Sequence, residues 1–469
     1  MASCELENDT ETSSAETNSE PSETNHVTEA MPEITKKDYS SDFYMPIQEH
    51  SNRFDFYWVE ENKNDQLSDA IYTRQEQLRQ YLGIKLMCTK AGEHTEYTTP
   101  IMTSVKNKDG SIHAFLSHVY TGVAGLISGN YLTDYKDMPG IDLDAEYWNL
   151  PVMEEVAAND HLYLGYSDFR LAYTYVITFN KELLDKYADS LEESLYDSVF
   201  GYRWTLDKML SLANLVYVDK TGDGKTDDDT FGITGRQWVP FINFVQASNI
   251  KIVDANEQGN YQISIYSDLV KERTTILAEK LHELSKSDYA WFRYREESTK
   301  EISIISGQTL MYLASTYNLS DYVMHDIDFG IVPYPLFDEN QKDVGYRSLD
   351  WGGWICIPSY LENPLMVGET LEMLAFFSDD VTTAFYEKLL GKQVADSPDD
   401  KKMLDLVWDS VCSDIGLTYS NIHNTVDGFL YMLPNITHAN TKYNIASYVQ
   451  SFETTANKQI KAYFTKKVK

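Results

Sequence analysis

The feature that most constrains this chain is the order in which apolar patterns follow one another from residue 54 onwards. Residues 54–59 form an apolar and aromatic run typical of a strand, residues 67–81 carry apolar side chains at helical spacing, and residues 84–88 form a second strand-like run. Gly83 stands between the helix and the second strand, where it predicts the end of the helix. Strand, helix and strand in this order predict an α/β unit with a largely parallel sheet.

The α/β pattern returns further along the chain, and at 469 residues the chain is too long for one core, because single cores stop growing near ~250–300 residues. The later runs predicted as strands or helices are 111–117, a helix after Tyr120, 172–179, 181–187, 204–218, 269–284, 329–335, 365–377 and 401–411. The sequence shows no internal repeat. We therefore expect two α/β lobes, of which the second is larger and more helical.

The first 50 residues have a different composition from the rest of the chain. Ser, Thr, Glu and Asn dominate residues 5–50, apolar residues are sparse, and the first basic residue is Lys36. Such a segment predicts a disordered tether over residues 1–50. Ala2, Ser3 and Cys4 resemble the end of a bacterial lipobox, which implies a lipid anchor on Cys4 at the outer face of the cell membrane of a Gram-positive-type bacterium. An accidental cysteine near a terminus is the alternative.

The charge excludes one class of partner. The formal net charge is −34 and the isoelectric point is near 4.5, whereas nucleic acids and anionic membranes require clustered Lys and Arg. No run of about 18 apolar residues occurs that would span a bilayer. Aromatic residues make up 13% of the chain, with 34 Tyr and 8 Trp, so rings are abundant enough to serve both a core and a binding surface.

The remaining cysteines, Cys88, Cys356 and Cys412, lie far apart and without Cys-x-x-Cys spacing, which argues against a metal cluster or a redox motif. Cys88 and Cys356 lie in apolar strand-like runs, where a cysteine is typically a small buried hydrophobe. The sequence does not decide whether two of the three form a disulfide.

The segment 219–230 resembles a calcium-binding loop. Oxygen-bearing side chains occupy loop positions one, three, five and nine. Gly224 occupies position six, where the backbone of a calcium-binding loop turns sharply. Position twelve is Thr230 instead of Glu, so Asp229 would have to substitute. The pattern predicts a structural calcium; a solvated Asp and Gly turn is the alternative. The candidate metal residues are Asp219, Thr221, Asp223, Lys225, Asp227 and Asp229.

An ordered series of short motifs resembles the bacterial extracellular solute-binding proteins whose best-known members bind maltose and other sugars, in particular their clostridial lipoprotein branch. The series covers most of residues 54–420, and beyond 421 the resemblance thins. The motifs are 67–74 (LSDAIYTR), 141–148 (IDLDAEYW), 178–184 (TFNKELL), 204–209 (WTLDKM), 306–308 (SGQ), 328–335 (DFGIVPYP) and 401–405 (KKMLD).

The resemblance implies a two-lobed α/β fold of the periplasmic-binding-protein type II class, with a hinge and an interlobe cleft. We expect crossing segments near Tyr175, Met311 and Asp350. The predicted first lobe comprises residues 51–174 plus 312–349, and the predicted second lobe comprises residues 175–311 plus 350–469. Ligand contacts from both lobes would exist only in the closed state, so binding would shift the protein toward that state.

Aromatic residues in loops between elements are the candidates for ligand contact, because rings cover the C–H faces of sugars while carboxylates, amides and Arg bind the hydroxyls. Gly352 and Gly353 would let a ligand approach the backbone closely. Trp148 and Trp204 belong to motifs of the resemblance and are expected to pack in the core. The candidate ligand-binding residues are Trp351, Trp354, Asp350, Arg347, Trp238, Arg236, Tyr166, Asp168, Arg170 and Tyr120.

Together these observations predict a monomeric solute-binding protein that takes a carbohydrate and delivers it to the permease of an ABC importer. A peptide or polyamine as solute, or a ligand-sensing surface protein without a transporter, are the alternatives. The sequence carries no His-Glu-x-x-His, no Gly-x-Ser-x-Gly and no Gly-rich dinucleotide loop. We therefore expect no enzyme, and a glycoside hydrolase in particular is disfavoured.

Overall fold

A computed structural model describes residues 31–49, 53–62, 65–92, 95–171, 173–256, 259–294, 301–325, 327–390, 397–422, 435, 437–438 and 444–464. The strands, numbered in chain order, are β1 (Ser41–Gln48), β2 (Ile84–Ala91), β3 (Phe115–Leu116), β4 (Tyr175–Asn180), β5 (Phe231–Gln237), β6 (Val253–Ala255), β7 (Tyr261–Ile263), β8 (Ala290–Tyr294), β9 (Thr309–Ser315), β10 (Phe329–Val332), β11 (Ser348–Leu349), β12 (Ile355–Cys356) and β13 (Val411–Cys412).

The helices, numbered in the same way, are α1 (Gln66–Leu82), α2 (Thr95–Asn107), α3 (Val123–Ser128), α4 (Leu150–Glu155), α5 (Lys181–Asp185), α6 (Leu195–Phe200), α7 (Leu206–Val216), α8 (Val239–Ala247), α9 (Lys271–Lys286), α10 (Thr316–Met324), α11 (Pro364–Phe376), α12 (Asp379–Leu390), α13 (Pro398–Asp409), α14 (Ile415–Thr418) and α15 (Ile445–Phe464). Among the described residues, no helix is both long enough and apolar enough to cross a bilayer.

The first sheet has the strand order β12-β3-β1-β2. Strands β1 and β2 are parallel over eight residue pairs, from Ser41 opposite Ile84 to Gln48 opposite Ala91. Strand β3 is parallel to β1, and β12 is antiparallel to β3. Helix α1 packs on β2 and on α11 and α12. The predicted helix over residues 67–81 and the predicted strand over residues 84–88 are confirmed, and α1 ends at Gly83 in the left-handed conformation, with φ 64°.

Strand β1 corrects the predicted tether. The prediction gave residues 1–50 to a disordered segment, whereas residues 41–48 form a central strand of the first sheet. Phe43, Met45 and Ile47 point into the core and are fully buried, which is the alternation of a half-buried strand. Their small number within a long polar segment concealed this signal. The predicted strand at 54–59 is wrong as well, since residues 54–56 form a short 3-10 helix.

The residues before β1 also pack on the helices beside the first sheet. The side chains of Lys37 and Tyr39 both donate to the carboxylate of Glu369 in α11, at 2.7 and 2.5 Å. The Tyr81 hydroxyl at the end of α1 donates to the carbonyl of Ile34 at 2.6 Å. The folded part of the chain therefore begins well before residue 50.

The second sheet has the strand order β10-β4-β9-β5-β8. Strand β5 is parallel to β8 and β9, and β4 is antiparallel to β9 and β10. The predicted helices of this part are confirmed within a few residues by α5, α7, α9 and α13, and the predicted helix over 365–377 is confirmed by α11, which packs on α1. Trp148 and Trp204 are buried as expected, and the Trp204 indole N–H donates to the carbonyl of Pro333 at 3.0 Å.

Three chain segments run side by side between the two sheets. Thr174 pairs with Asp350, the amide of Thr316 donates to the Thr174 carbonyl at 2.9 Å, and the amide of Trp351 donates to the Tyr173 carbonyl at 2.7 Å. We call the elements packed around the first sheet the first lobe and those around the second sheet the second lobe.

The sheet membership of several elements differs from the predicted lobe ranges. Strand β10 lies within the range 312–349 that was given to the first lobe, yet it pairs with β4 of the second sheet. Strand β12 lies within the range 350–469 that was given to the second lobe, yet it pairs with β3 of the first sheet. The chain thus visits the first lobe only briefly, through α10, which packs on α12, before it returns for β10.

Candidate functional site

The strand order of the first sheet marks one edge as a ligand-binding edge. Strand β1 has β2 on one side and β3 on the other, so the chain reverses its direction of winding at β1. Ligands of open α/β sheets bind outside the carboxyl ends of the strands at such a switch point. The segments that follow β1 and β3, residues 49 and 53–62 and residues 117–122, are therefore the first-lobe part of the candidate site.

A cavity of about 530 Å³ opens beside the loop after β1. Its ion pairs join Lys90 to Glu49 at 2.6 Å and Arg53 to Asp55 at 3.1 Å. The lining residues are Glu49, Arg53, Phe54, Asp55, Trp58, Val59, Glu60, Glu61 and Lys90. None of these lining residues was predicted as a site residue. Residues 41–48 were assigned to the tether, so the loop at the carboxyl end of β1 was not recognised. The alternation of Phe43, Met45 and Ile47 was the signal that could have found it.

Five predicted or neighbouring aromatic rings meet where the segments cross. Tyr120, in the loop after β3, lies 5.5 Å from Trp351 between ring centroids, and Trp351 lies 6.4 Å from Tyr175 at the start of β4. Tyr173 continues the row at 6.1 Å from Tyr175 and stacks on Tyr317 at 4.1 Å. Trp351 and Tyr175 are buried, whereas Tyr120, Tyr173 and Tyr317 are partly exposed, so this aromatic row presents ring surface from the first lobe and from the crossing segment.

Several candidates of the same region are core residues instead. Trp354 is 1% exposed, and its indole N–H donates to the Val119 carbonyl at 3.0 Å. Arg170 pairs with Asp350 in the interior and also donates to the carbonyl of Gly353. The Tyr166 ring covers the guanidinium at 4.3 Å. These contacts assign Trp354, Tyr166, Arg170 and Asp350 to the framework that holds the crossing segments.

Gly352 has a different role from the predicted one. A Cβ at this position would lie 2.2 Å from the Arg170 guanidinium, so the absence of a side chain makes room for Arg170 and not for a ligand. This contact corrects, for Gly352, the expectation that a solute approaches the backbone there.

The second-lobe candidates lie at the carboxyl end of β5. Arg236 is exposed and pairs with Glu301 at 3.1 Å, and Arg293 on the neighbouring strand β8 reaches the same carboxylate at 3.4 Å. Trp238 is partly exposed just beyond the strand. Burial by itself raises the pKa of Glu301, but the hydrogen bond from Tyr312 and the charge of Arg236 outweigh it, so the pKa lies below its usual value. The carboxylate is therefore ionised and accepts from its three neighbours.

The last two ligand candidates lie elsewhere. Arg347 pairs with Glu155 of α4 at 2.6 Å and is largely buried, so its guanidinium serves a structural ion pair. Asp168 is exposed between Tyr166 and Arg170.

The aspartate-rich segment forms a closed turn. Both Asp219 oxygens accept backbone N–H groups, among them those of Gly222 at 2.6 Å and Gly224 at 3.0 Å. Asp229 is buried and accepts the amides of Lys220 and Thr226 at 3.0 and 2.8 Å. Gly224 adopts φ 89°, which a sharp turn at loop position six requires.

The remaining members of the predicted metal set do not complete a shell in this arrangement. The Thr221 hydroxyl donates to Asp223, and the Lys225 ammonium donates to the carbonyl of Ser287 at 3.0 Å. Within the part of the chain that the structure describes, no three His, Cys, Asp or Glu side chains converge on a point that could hold a metal ion. Both oxygens of Asp229, the residue expected to replace the missing Glu, accept amides of the turn.

The cysteines can be placed in part. Cys88, Cys356 and Cys412 are buried and free of disulfides, which confirms the interpretation of Cys88 and Cys356 as small buried hydrophobes. The predicted lipidation site, Cys4, lies outside the described residues.

Comparisons with known proteins agree with this geometry at the level of the fold. The sequence matches no family model and no curated protein. The structure is similar to a maltose-binding periplasmic protein of Listeria monocytogenes solved with maltose, with a TM-score of 0.55, 11% identity and coverage of 92% of this chain and 99% of the other.

Two further solved structures cover about the same part of the chain. One is an ABC substrate-binding protein of Listeria monocytogenes in complex with cycloalternan, with a TM-score of 0.54, 13% identity and coverage of 90% and 99%. The other is an ABC transporter solute-binding protein of Thermotoga lettingae bound with α-D-tagatose, with a TM-score of 0.54, 12% identity and coverage of 90% and 100%. The chain thus has the predicted two-lobed α/β fold of the periplasmic-binding-protein type II class.

Proposed function

We propose that this chain is an extracytoplasmic solute-binding protein that captures a carbohydrate between its lobes and delivers it to the permease of an ABC importer. The observation that carries the proposal is the aromatic row at the crossing. It places ring surface of the first lobe and of the crossing segment at the binding edge of a fold whose similar solved structures hold sugars.

The proposed contacts divide by chemistry. Tyr120 and Trp238 offer ring faces to the C–H surface of a sugar, with the buried Trp351 supporting the Tyr120 ring, while Arg236 and Asp168 offer charged groups to its hydroxyls. The cavity beside the loop after β1 adds Trp58, Phe54 and several carboxylates that could hold a further sugar unit. Because such contacts come from both lobes, they are complete only when the lobes close, and ligand binding favours that state.

The protein acts in this proposal without catalysis, as a monomer. It requires no cofactor to bind its solute, and its partners are the permease subunits. A lipid on Cys4 would anchor it to the outer face of the membrane. Mass spectrometry of the protein isolated from its native membrane would detect a diacylglycerol adduct on Cys4, and an unmodified mature amino terminus elsewhere would contradict the anchor.

The structural calcium at residues 219–230 is a proposal from the loop pattern, supported by the sharp turn at Gly224. It predicts that calcium raises the unfolding temperature, that a chelator lowers it, and that Asp219→Asn removes the difference. Equal unfolding curves with calcium and with chelator would contradict the calcium site and show that the segment is a hydrogen-bonded turn.

A cationic solute such as a polyamine is the second candidate, and one observation favours it. The cavity beside the loop after β1 carries four carboxylates, Glu49, Asp55, Glu60 and Glu61, against the two cations Arg53 and Lys90. Aromatic rings beside carboxylates also suit an ammonium group.

Thermal unfolding against a panel of mono- and oligosaccharides, with polyamines and short peptides as the other arms, tests the proposal. A solute at a hundred times its Kd adds about 2.7 kcal/mol to stability. A shift by one sugar class that weakens in Tyr120→Ala and Trp351→Phe is the expected result. Tyr202→Ala, an exposed ring stacked on Tyr346 of the second lobe, is the matched control. A shift by polyamines alone would replace the sugar with the second candidate.

A further inference from the structure

Three tyrosine hydroxyls, one from β7 and two from the C-terminal part of the chain, reach the first lobe. Tyr463 in α15 donates to the carbonyl of Ala124 at 2.9 Å. Tyr419, just after α14, donates to the carbonyl of Val156 at 3.1 Å. Tyr261 in β7 donates to the carbonyl of Ala157 at 3.4 Å. Each hydroxyl meets a main-chain oxygen that can only accept.

The three donors form one packed cluster with Phe464. The Phe464 ring lies 4.5 Å from Tyr261 and 5.5 Å from Tyr419 between centroids, and Tyr419 lies 5.8 Å from Tyr463. The donors are therefore fixed relative to one another, so the three hydrogen bonds form or break as a set.

The elements that carry the donors are held by the second lobe. The amide of Ile263 in β7 donates to Asn457 of α15 at 2.7 Å. Asp414, at the start of α14, accepts from Gln246 of α8 at 3.1 Å and from the amide of Ile252 at 2.9 Å. Helix α8 packs on β5 of the second sheet.

The acceptors belong to the first lobe. Ala124 lies in α3, which follows β3 of the first sheet. Val156 and Ala157 follow α4, in a segment whose continuation pairs with the first sheet through the bridge of Gly165 with Ile355. The three bonds therefore join the lobes at a place other than the crossing segments.

Burial keeps these phenols protonated. The pKa of Tyr419 lies well above its usual value because of burial and then because of the neighbouring Tyr463, Tyr261 and Tyr163. Burial likewise raises the pKa of Tyr463. Each hydroxyl thus stays a donor over the whole range in which the protein is folded.

We infer that Tyr261, Tyr419 and Tyr463 form an interlobe latch, which holds α3 and the segment after α4 against the second lobe. The latch acts beside the contacts of Glu155 with Arg347 and with the amide of Ser413, and it sets the separation of the lobes before any solute is present. This inference rests on the two-lobed fold and not on the identity of the solute.

Distance measurement between spin labels on the two lobes tests the latch in the full chain without a solute. Labels at Thr103→Cys in α2 and Glu279→Cys in α9 report the separation, with Cys4→Ser as background. Cys88, Cys356 and Cys412 stay unlabelled because they are buried. The latch variant is Tyr261→Phe with Tyr419→Phe and Tyr463→Phe, which keeps the rings and removes the hydroxyls.

The matched control is Tyr81→Phe with Tyr346→Phe, which removes hydroxyl bonds to the carbonyls of Ile34 and Val199 within single lobes. The unsubstituted chain should give one narrow distribution of separations, and the latch variant should populate a second separation, with the ratio of the two populations changed about tenfold or more. An unchanged distribution in the latch variant, or an equal change in the control, would overturn the inference. If the triple variant does not fold, Tyr463→Phe alone is measured and judged by the same criterion.

Discussion

Arg170 and Asp350 stand 180 positions apart in the chain and form an ion pair whose side chains are 1% and 2% exposed. Arg170 precedes the first crossing segment and Asp350 lies in the third. Burial by itself lowers the pKa of Arg170, but the Asp350 carboxylate outweighs it and raises the pKa above its usual value. Arg170 thus stays charged, and its contact with Asp350 joins two of the segments on which hinge motion depends.

Loss of one partner of this pair is expected to be costly. Asp350→Ala should lower the free energy of unfolding by about 3–5 kcal/mol, because it leaves a buried guanidinium without its counterion. The double variant Arg170→Met with Asp350→Leu should lose less than the single one, since no charge remains in the interior. Urea unfolding measures both, and a double variant less stable than Asp350→Ala would contradict this account.

Strand β1 gives a second prediction, since the same residues were first taken for a tether. Ile47 is fully buried, so Ile47→Ala should lower the free energy of unfolding by about 2–5 kcal/mol. Asp42→Ala, an exposed position on the same strand, should change it by less than about 0.5 kcal/mol. Equal small effects at the two positions would show that residues 41–48 do not belong to the core.

The cysteines should be inert in the folded protein. Burial raises the pKa of the Cys88 and Cys412 thiols to about 12, so almost no thiolate exists at pH 8. Ellman's reagent should therefore detect Cys88, Cys356 and Cys412 only after denaturation, with Cys4→Ser as the background. Fast reaction in native buffer, or fewer than three thiols after unfolding without reductant, would contradict the described arrangement.

Glu193 should contribute to the pH dependence of stability. Hydrogen bonds from Arg203 and then Lys208 lower the pKa of Glu193 to about 2. Since the folded-state pKa is depressed, the contribution is present above the unfolded value and is lost as pH falls from ~4.3 toward about 2. For this partly exposed group it should amount to less than about 1 kcal/mol.

Glu193→Gln provides the measurement. Its free energy of unfolding should lie below that of the unsubstituted protein at pH 6, and the difference should shrink as the pH falls toward about 2, where half of the folded-state carboxyls are protonated. A difference that stays constant over this range would mean that the side chain acts through packing and not through its charge.

Periodicity predicted the long elements well because their residues repeat a pattern many times. Helix α1 carries an Asp65 cap and a terminal Gly83 around 17 residues of helical spacing, so local signals agree with one another. Strand β1 has only three buried apolar residues in a polar surrounding, and its place in the sheet depends on β2 and β3. Such long-range pairing leaves little trace in the local sequence.

The candidate site was predicted less completely for the same reason. Tyr120 and Trp351 were recognised as loop aromatics, and the structure brings their rings together. Trp354 and Arg170 were candidates from the same kind of loop, but their burial depends on the crossing segments. Arg170 and Asp350 come into contact only in the folded chain. The sequence therefore could not show whether they form an internal ion pair or contact a ligand.

The eight paired positions between β1 and β2 also have a mechanical consequence. The two strands run parallel and in register from their first residues, and the chain enters β1 from the Lys37 and Tyr39 contacts with Glu369. A force applied along β1 at its amino end loads all the interstrand hydrogen bonds at once, in shear, instead of opening them one by one. The first lobe can therefore bear tension at its point of entry while its opposite edge, where β1 ends, stays free to move.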